Sequence, residues 1–476
     1  TATNGTNGNG NDGGAEASYA LAHAPSGSLS AAPSVSTAMR MVDRRGLLPD
    51  EDLEPLAVTR QDLSALGHYW VDRFGRIKEL ARAKEAMQDK SRRRSLNPNA
   101  NGTGAAGDGA AGSTNAAAAG GANCEPAETV SADERARLSA RDVSREMKWT
   151  QMLEHWPKFL APEGPAAPTQ PSSFAVLKRR VRKGVPPALR GVVWPALLSL
   201  GRARERLGAS RYYQSLLAKP VAAHDELQIR KDLPRVLQDH IVFHSPEAGS
   251  RTVVCQGQAA LYNVLRAYSV HDPAVGYVQG MDLLASPALL FMPEEMAFWF
   301  VERLLNGAQH RLRGLYLEGM PRAQLYMHVF TALLKKHHPR LHAVLDEYGV
   351  RPETYAFRWL TLRFATFAPE LYYRVLDAFL LEGDKVLYRL ALALLAQREP
   401  ELLRAAHQPE IVLNTLGGIE HDHRWHRARG GDDLMEAAFA VALTTAEIRK
   451  YEAEFWAQSG LRDQGAAPAS LKPRAM

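Results

Sequence analysis

From Ala132 onward the apolar residues of this chain recur three and four positions apart, segment after segment. Leu261, Val264, Leu265 and Tyr268 make one such stripe, Ala297, Phe300, Val301 and Leu304 a second, and Leu387, Leu390, Ala391, Leu394 and Leu395 a third. A helix of 3.6 residues per turn gathers these positions on one face, whereas a strand scatters them over both. Trp359, Leu360 and Phe364 begin a further segment that continues through Leu371, Val375, Leu376 and Phe379. Strand-like alternation is nearly absent, and its best candidate is the short Thr252-Val253-Val254-Cys255. The pattern predicts an all-α fold. No repeat of roughly 20 to 50 residues recurs, so a solenoid is not expected.

Composition divides the remainder of the 476 residues. Residues 1–50 are dominated by Gly, Asn, Ala and Ser and cannot bury enough apolar surface to fold, so a disordered N-terminal region is expected. Residues 51–95 form an amphipathic helical segment through Leu63, Leu66, Tyr69, Trp70, Phe74, Ile77 and Leu80. It ends in Lys90-Ser91-Arg92-Arg93-Arg94-Ser95, read as a solvated charge run. Residues 96–131 are a low-complexity linker, 132–456 the folded domain, and 457–476 a flexible tail. Within the domain, Trp149, Met152, Trp156 and Phe159 mark a first helix that the proline-rich APEGPAAPTQPSS ends. Pro187 suits the first turn of the next helix, where no amide hydrogen is needed, and that helix turns Trp194, Leu197 and Leu198 inward.

Several function classes are disfavoured. The net charge is only +6 and both signs are interspersed, which argues against a dedicated nucleic-acid module despite LKRRVRK at 177–183. Two cysteines, Cys124 and Cys255, provide neither a disulfide framework nor a thiolate zinc site, and a reducing, cytoplasmic setting is expected. The apolar run Leu283 to Met292 is cut by Pro293-Glu294-Glu295, too short to span a bilayer. The segment after Thr1 has neither an apolar signal core nor an Arg-rich amphipathic pattern. His421, Asp422, His423 and His426 imitate a ligand set but lie among Arg424, Arg427, Gly430 and Gly431, so a solvated loop without metal is expected. No phosphate loop of the G-x-x-x-x-G-K-[ST] type occurs, and the chain is not expected to bind GTP itself.

Two polar residues stand out: Arg235 in Ile229-x-x-Asp232-x-x-Arg235, and Gln279 in Tyr277-x-Gln279-Gly280. KGVPPALRGVVW, IRKDLPR, AYSVHDPAVGYVQGM, MPEEMAFWF, YAFRWLTLRFA and LEGDKVLYRLALALL follow in series. Their order and spacing resemble those of the TBC-domain GTPase-activating proteins for Rab GTPases, from about Glu146 to Trp456 and most strongly across 183–395. The resemblance implies a TBC-type helical domain whose partner is a GTP-bound Rab, with no cofactor of its own because GTP and Mg²⁺ belong to the GTPase. It assigns Arg235 to the family's arginine finger and Gln279 to its glutamine finger.

Both assignments have a physical basis. The transition state of GTP hydrolysis spreads negative charge over the transferring phosphoryl group, and a planar, permanently charged guanidinium contacts two of its oxygens at once. A carboxamide both accepts a proton from the attacking water and donates to hold it. Asp232, one turn before Arg235, is expected to orient the guanidinium, Tyr277 to fix the loop, Gly280 to allow close backbone approach, and Arg190 to anchor structure by pairing with a carboxylate or helix end. The chain departs from the family at Val236-Leu237-Gln238, where many members have Thr and then Phe-Pro, and at Asp282, where a small polar residue or Asn is common. Asp282 adds negative charge beside a site that must accept phosphates, unless it pairs with Arg235 or Lys231. The alternative is a catalytically impaired TBC protein acting as a Rab-binding adaptor. Either reading suits vesicle trafficking, with peripheral association on endomembranes left open.

Overall fold

Proline punctuates the helices of the domain. In the computed structural model, which describes residues 132–156, 159, 173–201, 211–238, 240, 242–243, 255–426 and 430–461, Pro187, Pro321, Pro339, Pro369 and Pro409 each open a helix. At that position the missing amide hydrogen costs nothing and the fixed φ is already helical. The expected disordered region 1–50, the amphipathic segment 51–95, the linker 96–131 and most of the tail lie outside the described residues, as do Thr252 to Val254.

Among the described residues the chain forms sixteen α-helices joined by short 3₁₀ turns, with no β-strand, as the apolar periodicity predicts. The first five are α1 (Ala132–Leu153), α2 (Ser173–Arg182), α3 (Pro187–Leu198), α4 (Tyr212–Leu217) and α5 (Ala223–Asp232). A 3₁₀ turn, Leu233–Arg235, continues α5 directly. Then come α6 (Gln256–His271), α7 (Asp282–Leu289) and α8 (Glu294–Asn306). The remaining helices are α9 (Pro321–His337), α10 (Pro339–Glu347), α11 (Phe357–Thr361), α12 (Pro369–Glu382), α13 (Lys385–Arg404), α14 (Pro409–Gly418), α15 (Gly430–Ala440) and α16 (Thr445–Ser459). None is long and apolar enough to cross a membrane.

Two helices act as hubs, each packed against several others. α6 buries Leu261, Val264, Leu265 and Tyr268 and packs against α4, α5, α7 and α8. α13 is buried almost continuously from Val386 to Leu395 and is covered by α12, α15, α10 and α11. The join between the halves runs through α12, which touches α2 and α3. There the fully buried Asp377 accepts hydrogen bonds from Arg190 Nε and Nη2 (both 3.1 Å), from Trp194 Nε1 (2.7 Å) and from the Val185 amide (2.9 Å). A carboxylate with four donors tolerates burial that an unpaired one would not. The Trp194 ring meets Phe291 edge-on at 5.1 Å and stacks on Phe300 at 5.8 Å, so the anchor is wrapped in aromatic surface.

Candidate functional site

Arg235 ends the 3₁₀ turn after α5, and its side chain is 71% exposed. Gln279 lies in the turn between α6 and α7 and is exposed as well. The two are 44 positions apart in sequence, so the fold must bring together the elements that carry them. Tyr277 ties those elements. Its amide donates to Asp225 Oδ1 at 3.0 Å and its hydroxyl to Asp232 Oδ2 at 3.1 Å. Asp225 and Asp232 are seven residues apart on α5, hence on one face two turns apart, and both are buried. Asp232 also accepts from Gln228 Nε2 at 3.1 Å and stands 3.7 Å from Arg235 Nη1. The same carboxylate thus holds the glutamine loop and lies beside the arginine.

Glycine makes the approach of loop and helix possible. Gly276 has φ +62°, and a Cβ there would lie 2.9 Å from both carboxylate oxygens of Asp225. Gly280, at φ +98°, reverses the chain after Gln279 and leaves room for Leu362 and Tyr316.

The loop is braced at both ends. At its start Asp272, the residue after α6, forms a buried ion pair with Arg313 from the 3₁₀ turn Leu312–Leu315, at 2.6 and 3.1 Å. At its end the Tyr316 hydroxyl donates to the Gly280 carbonyl at 3.3 Å, and the Tyr372 hydroxyl to the Leu283 carbonyl at 3.0 Å. Behind these two tyrosines the fully buried Arg363 donates to the Thr361 carbonyl at 2.5 Å. Burial pushes both phenols up, partly offset by the Arg363 guanidinium, so they remain hydrogen-bond donors at neutral pH.

The residues that depart from the family pattern have definite places. Val236 is buried at 2% exposure and belongs to the core, so its side chain does not face the arginine's side of the turn. Leu237 takes φ +42° and packs partly buried, while Gln238 Nε2 donates back to the Pro234 carbonyl at 2.6 Å. Asp282 opens α7 and accepts from the Gly280 amide at 2.9 Å; among the described residues it forms no ion pair with Arg235 or Lys231. Burial raises its pKa, opposed by that amide and reinforced by the charge of Asp232. Burial, with Asp282 and Asp232 nearby, also pushes the Tyr277 phenol well up.

Sequence reasoning singled out Asp232, Tyr277 and Gly280 here, while Arg190 lies instead at the Asp377 anchor. It missed Asp225, Asp272, Arg313, Tyr316, Arg363 and Tyr372. Asp225 left a signal, since two acidic residues seven apart share a helix face; the others are recognised only through partners tens of residues away. In the His421 region, Asp422 is engaged by Arg424 and Arg398.

Residues 187–403, which include both Arg235 and Gln279, match the family model of the Rab-GTPase-TBC domain. The chain is 34% identical over 276 residues to carabin of Mus musculus, covering 58% of this chain and 57% of that protein. It is 30% identical over 331 residues to the Rab GTPase-activating protein tbc-11 of Caenorhabditis elegans, covering 68% of this chain and 33% of that protein. These matches span about a third to just over half of the relatives' own length. Among solved structures, the Chlamydomonas flagellar RabGAP TBC domain aligns at TM-score 0.47 and 26% identity, over 63% of this chain and 94% of that one. Residues 187–403, a little under half of the chain, are thus similar to the Rab-GTPase-TBC domain.

Proposed function

We propose that the protein is a GTPase-activating protein for a Rab-family GTPase and that it acts by lending Arg235 and Gln279 to the partner's nucleotide site. The carrying observation is the double bond from Tyr277 to α5: one residue fixes the turn of Gln279 to the helix whose end bears Arg235, and both finger side chains are left exposed. GTP and Mg²⁺ arrive with the GTPase. The guanidinium neutralises charge developing on the phosphoryl oxygens, and the carboxamide orients the attacking water. Buried braces hold the loop in place before the partner arrives, so little reorganisation is left for the transition state. The protein performs no bond-making of its own. Its expected place is the cytoplasmic face of trafficking membranes, without nucleic acid as a partner.

The test is single-turnover GTP hydrolysis across a broad panel of GTP-loaded Rabs. Wild-type protein accelerates at least one. Arg235→Ala removes most of the stimulation, since an arginine finger in trans contributes on the order of 10³ to 10⁵ in rate, and Gln279→Ala also lowers it strongly. Both side chains are exposed, so the melting temperature stays put. Full stimulation by Arg235→Ala would sink the mechanism, and Rab binding without acceleration anywhere on the panel would make the protein an adaptor.

A further inference from the structure

Three faces of α5 are occupied. Ile229 is buried in the core. Asp225, Gln228 and Asp232 turn towards the glutamine loop, where Tyr277 bonds to both carboxylates and Gln228 donates to Asp232. Arg230 donates to Glu226 at 2.8 Å, and the Tyr262 hydroxyl of α6 donates to the same carboxylate at 3.0 Å. The remaining face carries Leu227 and Lys231, one turn apart, and the next position along that line is Arg235. Leu227 is 57% exposed, and Lys231 is exposed and forms no ion pair among the described residues.

A helical rise of about 1.5 Å per residue puts Lys231 about 6 Å and Leu227 about 12 Å from Arg235 along the axis. A protein–protein interface of ordinary size covers about 800 Å² on each side, the area of a disc about 16 Å in radius. A disc centred on a guanidinium that enters a partner's nucleotide site reaches both residues. The protein that takes Arg235 therefore covers Leu227 and Lys231 as well. Polar surface laid over Leu227 goes unpaired, and a cation laid over Lys231 is repelled. A partner gains from both only if it meets the leucine with apolar atoms and the lysine with a carboxylate.

We propose that Leu227 and Lys231 select the GTPase, favouring one that presents a carboxylate about 6 Å and an apolar patch about 12 Å from the mouth of its nucleotide site. This rests on Arg235 entering that site, and it assigns the two residues to docking and partner choice, not to the reaction. Neither residue braces the glutamine loop: the bonds from Tyr277 end on Asp225 and Asp232. Substituting Leu227 or Lys231 therefore changes how much GTPase is bound and leaves the hydrolysis rate of the bound complex as it was.

The full chain is titrated against a panel of Rabs in two ways: binding to each Rab loaded with a non-hydrolysable GTP analogue, and single-turnover GTP hydrolysis at rising concentrations of this protein. Glutamine matches leucine closely in size and helix propensity. Leu227→Gln is expected to weaken binding to the tightest-binding Rab about tenfold, with half-saturation of the hydrolysis rate shifted alike and the saturated rate unchanged. Lys231→Glu is expected to weaken binding about tenfold at low salt and to lessen the fall of affinity with salt that the wild type shows. Arg235→Ala gives the opposite split, a lost rate with most of the binding kept. Ile411→Gln replaces another exposed apolar side chain, 44% exposed on α14, and is expected to bind as the wild type does. Unchanged melting temperatures verify the fold of each variant. Unchanged binding in Leu227→Gln or in Lys231→Glu, a loss confined to the saturated rate, or an equal loss in Ile411→Gln overturns the assignment. Rab binding without acceleration overturns the finger reading alone, because the binding titration still tests the two residues; no binding to any Rab overturns both.

Discussion

Tyr277 and Asp282 sit on either side of Gln279 and act on it in different ways. Tyr277→Phe keeps the ring and the amide bond to Asp225 but removes the hydroxyl that reaches Asp232, leaving that buried carboxylate with the Gln228 hydrogen bond and the more distant Arg235 guanidinium. A hydrogen bond to a buried charge contributes about 1.5 to 3 kcal/mol. The variant is therefore expected to unfold at lower urea by about that amount and to stimulate hydrolysis less, although both fingers remain. Asp282→Asn tests the family departure. Burial raises the Asp282 pKa, so the folded state holds its proton more tightly than the unfolded chain does. Whatever stability that provides is present below the unfolded carboxylate value and is lost as pH rises through the folded one. Asn carries no charge and still offers an oxygen to the Gly280 amide, so the variant should gain on wild type from pH 4 to neutral in parallel urea titrations. With one negative charge fewer near the phosphates, it should stimulate hydrolysis at least as well; a weaker stimulation would mean that the carboxylate serves the reaction.

At the level of elements, a turn between two helices is only as exact as the helix it rests on, and here the contact is backbone to carboxylate. Gly276→Ala puts a methyl group 2.9 Å from both oxygens of Asp225 and imposes a left-handed φ of +62° on a residue with a side chain. Gly319→Ala imposes a similar φ, +72°, but its Cβ meets open space. The left-handed conformation alone costs about 1 kcal/mol or somewhat more. The Gly319 variant should lose about that much in thermal melts. The Gly276 variant should lose distinctly more, and with it most of the stimulated hydrolysis. Equal losses would show that α5 and the loop are not coupled through Asp225. The helices themselves were legible in the sequence, because the stripes at Leu261 to Tyr268 and Leu387 to Leu395 report burial locally, as Pro187 reports a helix start. The braces were not. Tyr316 reaches Gly280 across 36 residues and Tyr372 reaches Leu283 across 89, and no periodicity encodes a partner at such separations.

Over the whole molecule, stability against pH is set by groups that folding withdraws from water, and these pull in opposite directions. His271, hydrogen-bonded to the Tyr212 hydroxyl at 2.8 Å, and His310, at 3.1 Å from the Phe379 carbonyl, are both lowered to about 4 by burial. Their neutral forms suit the fold, so their contribution is complete above the ordinary histidine value of 6.5 and is lost as pH falls towards 4. Glu302, whose charge also acts on Tyr212, is raised to about 7 by burial. Its protonated form suits the fold, so its contribution is complete below the ordinary value of 4.5 and is lost as pH rises through 7. At about 1.4 kcal/mol per unit, each histidine and Glu302 carry about 3 kcal/mol. Two histidines outweigh one glutamate, but Asp282 and Glu294 are raised as well and add to its side, so the wild-type slope between pH 7 and 4.5 should be shallow. Glu302→Gln removes the largest opposing group. Its stability should exceed that of the wild type near pH 7.5, by up to about 3 kcal/mol, and the advantage should vanish by pH 4.5, exposing the steep histidine loss. Urea midpoints of the two proteins at half-unit steps of pH measure this. Parallel curves across that window would mean that Glu302 titrates as an ordinary surface carboxylate and that the acid limit of the domain is set elsewhere.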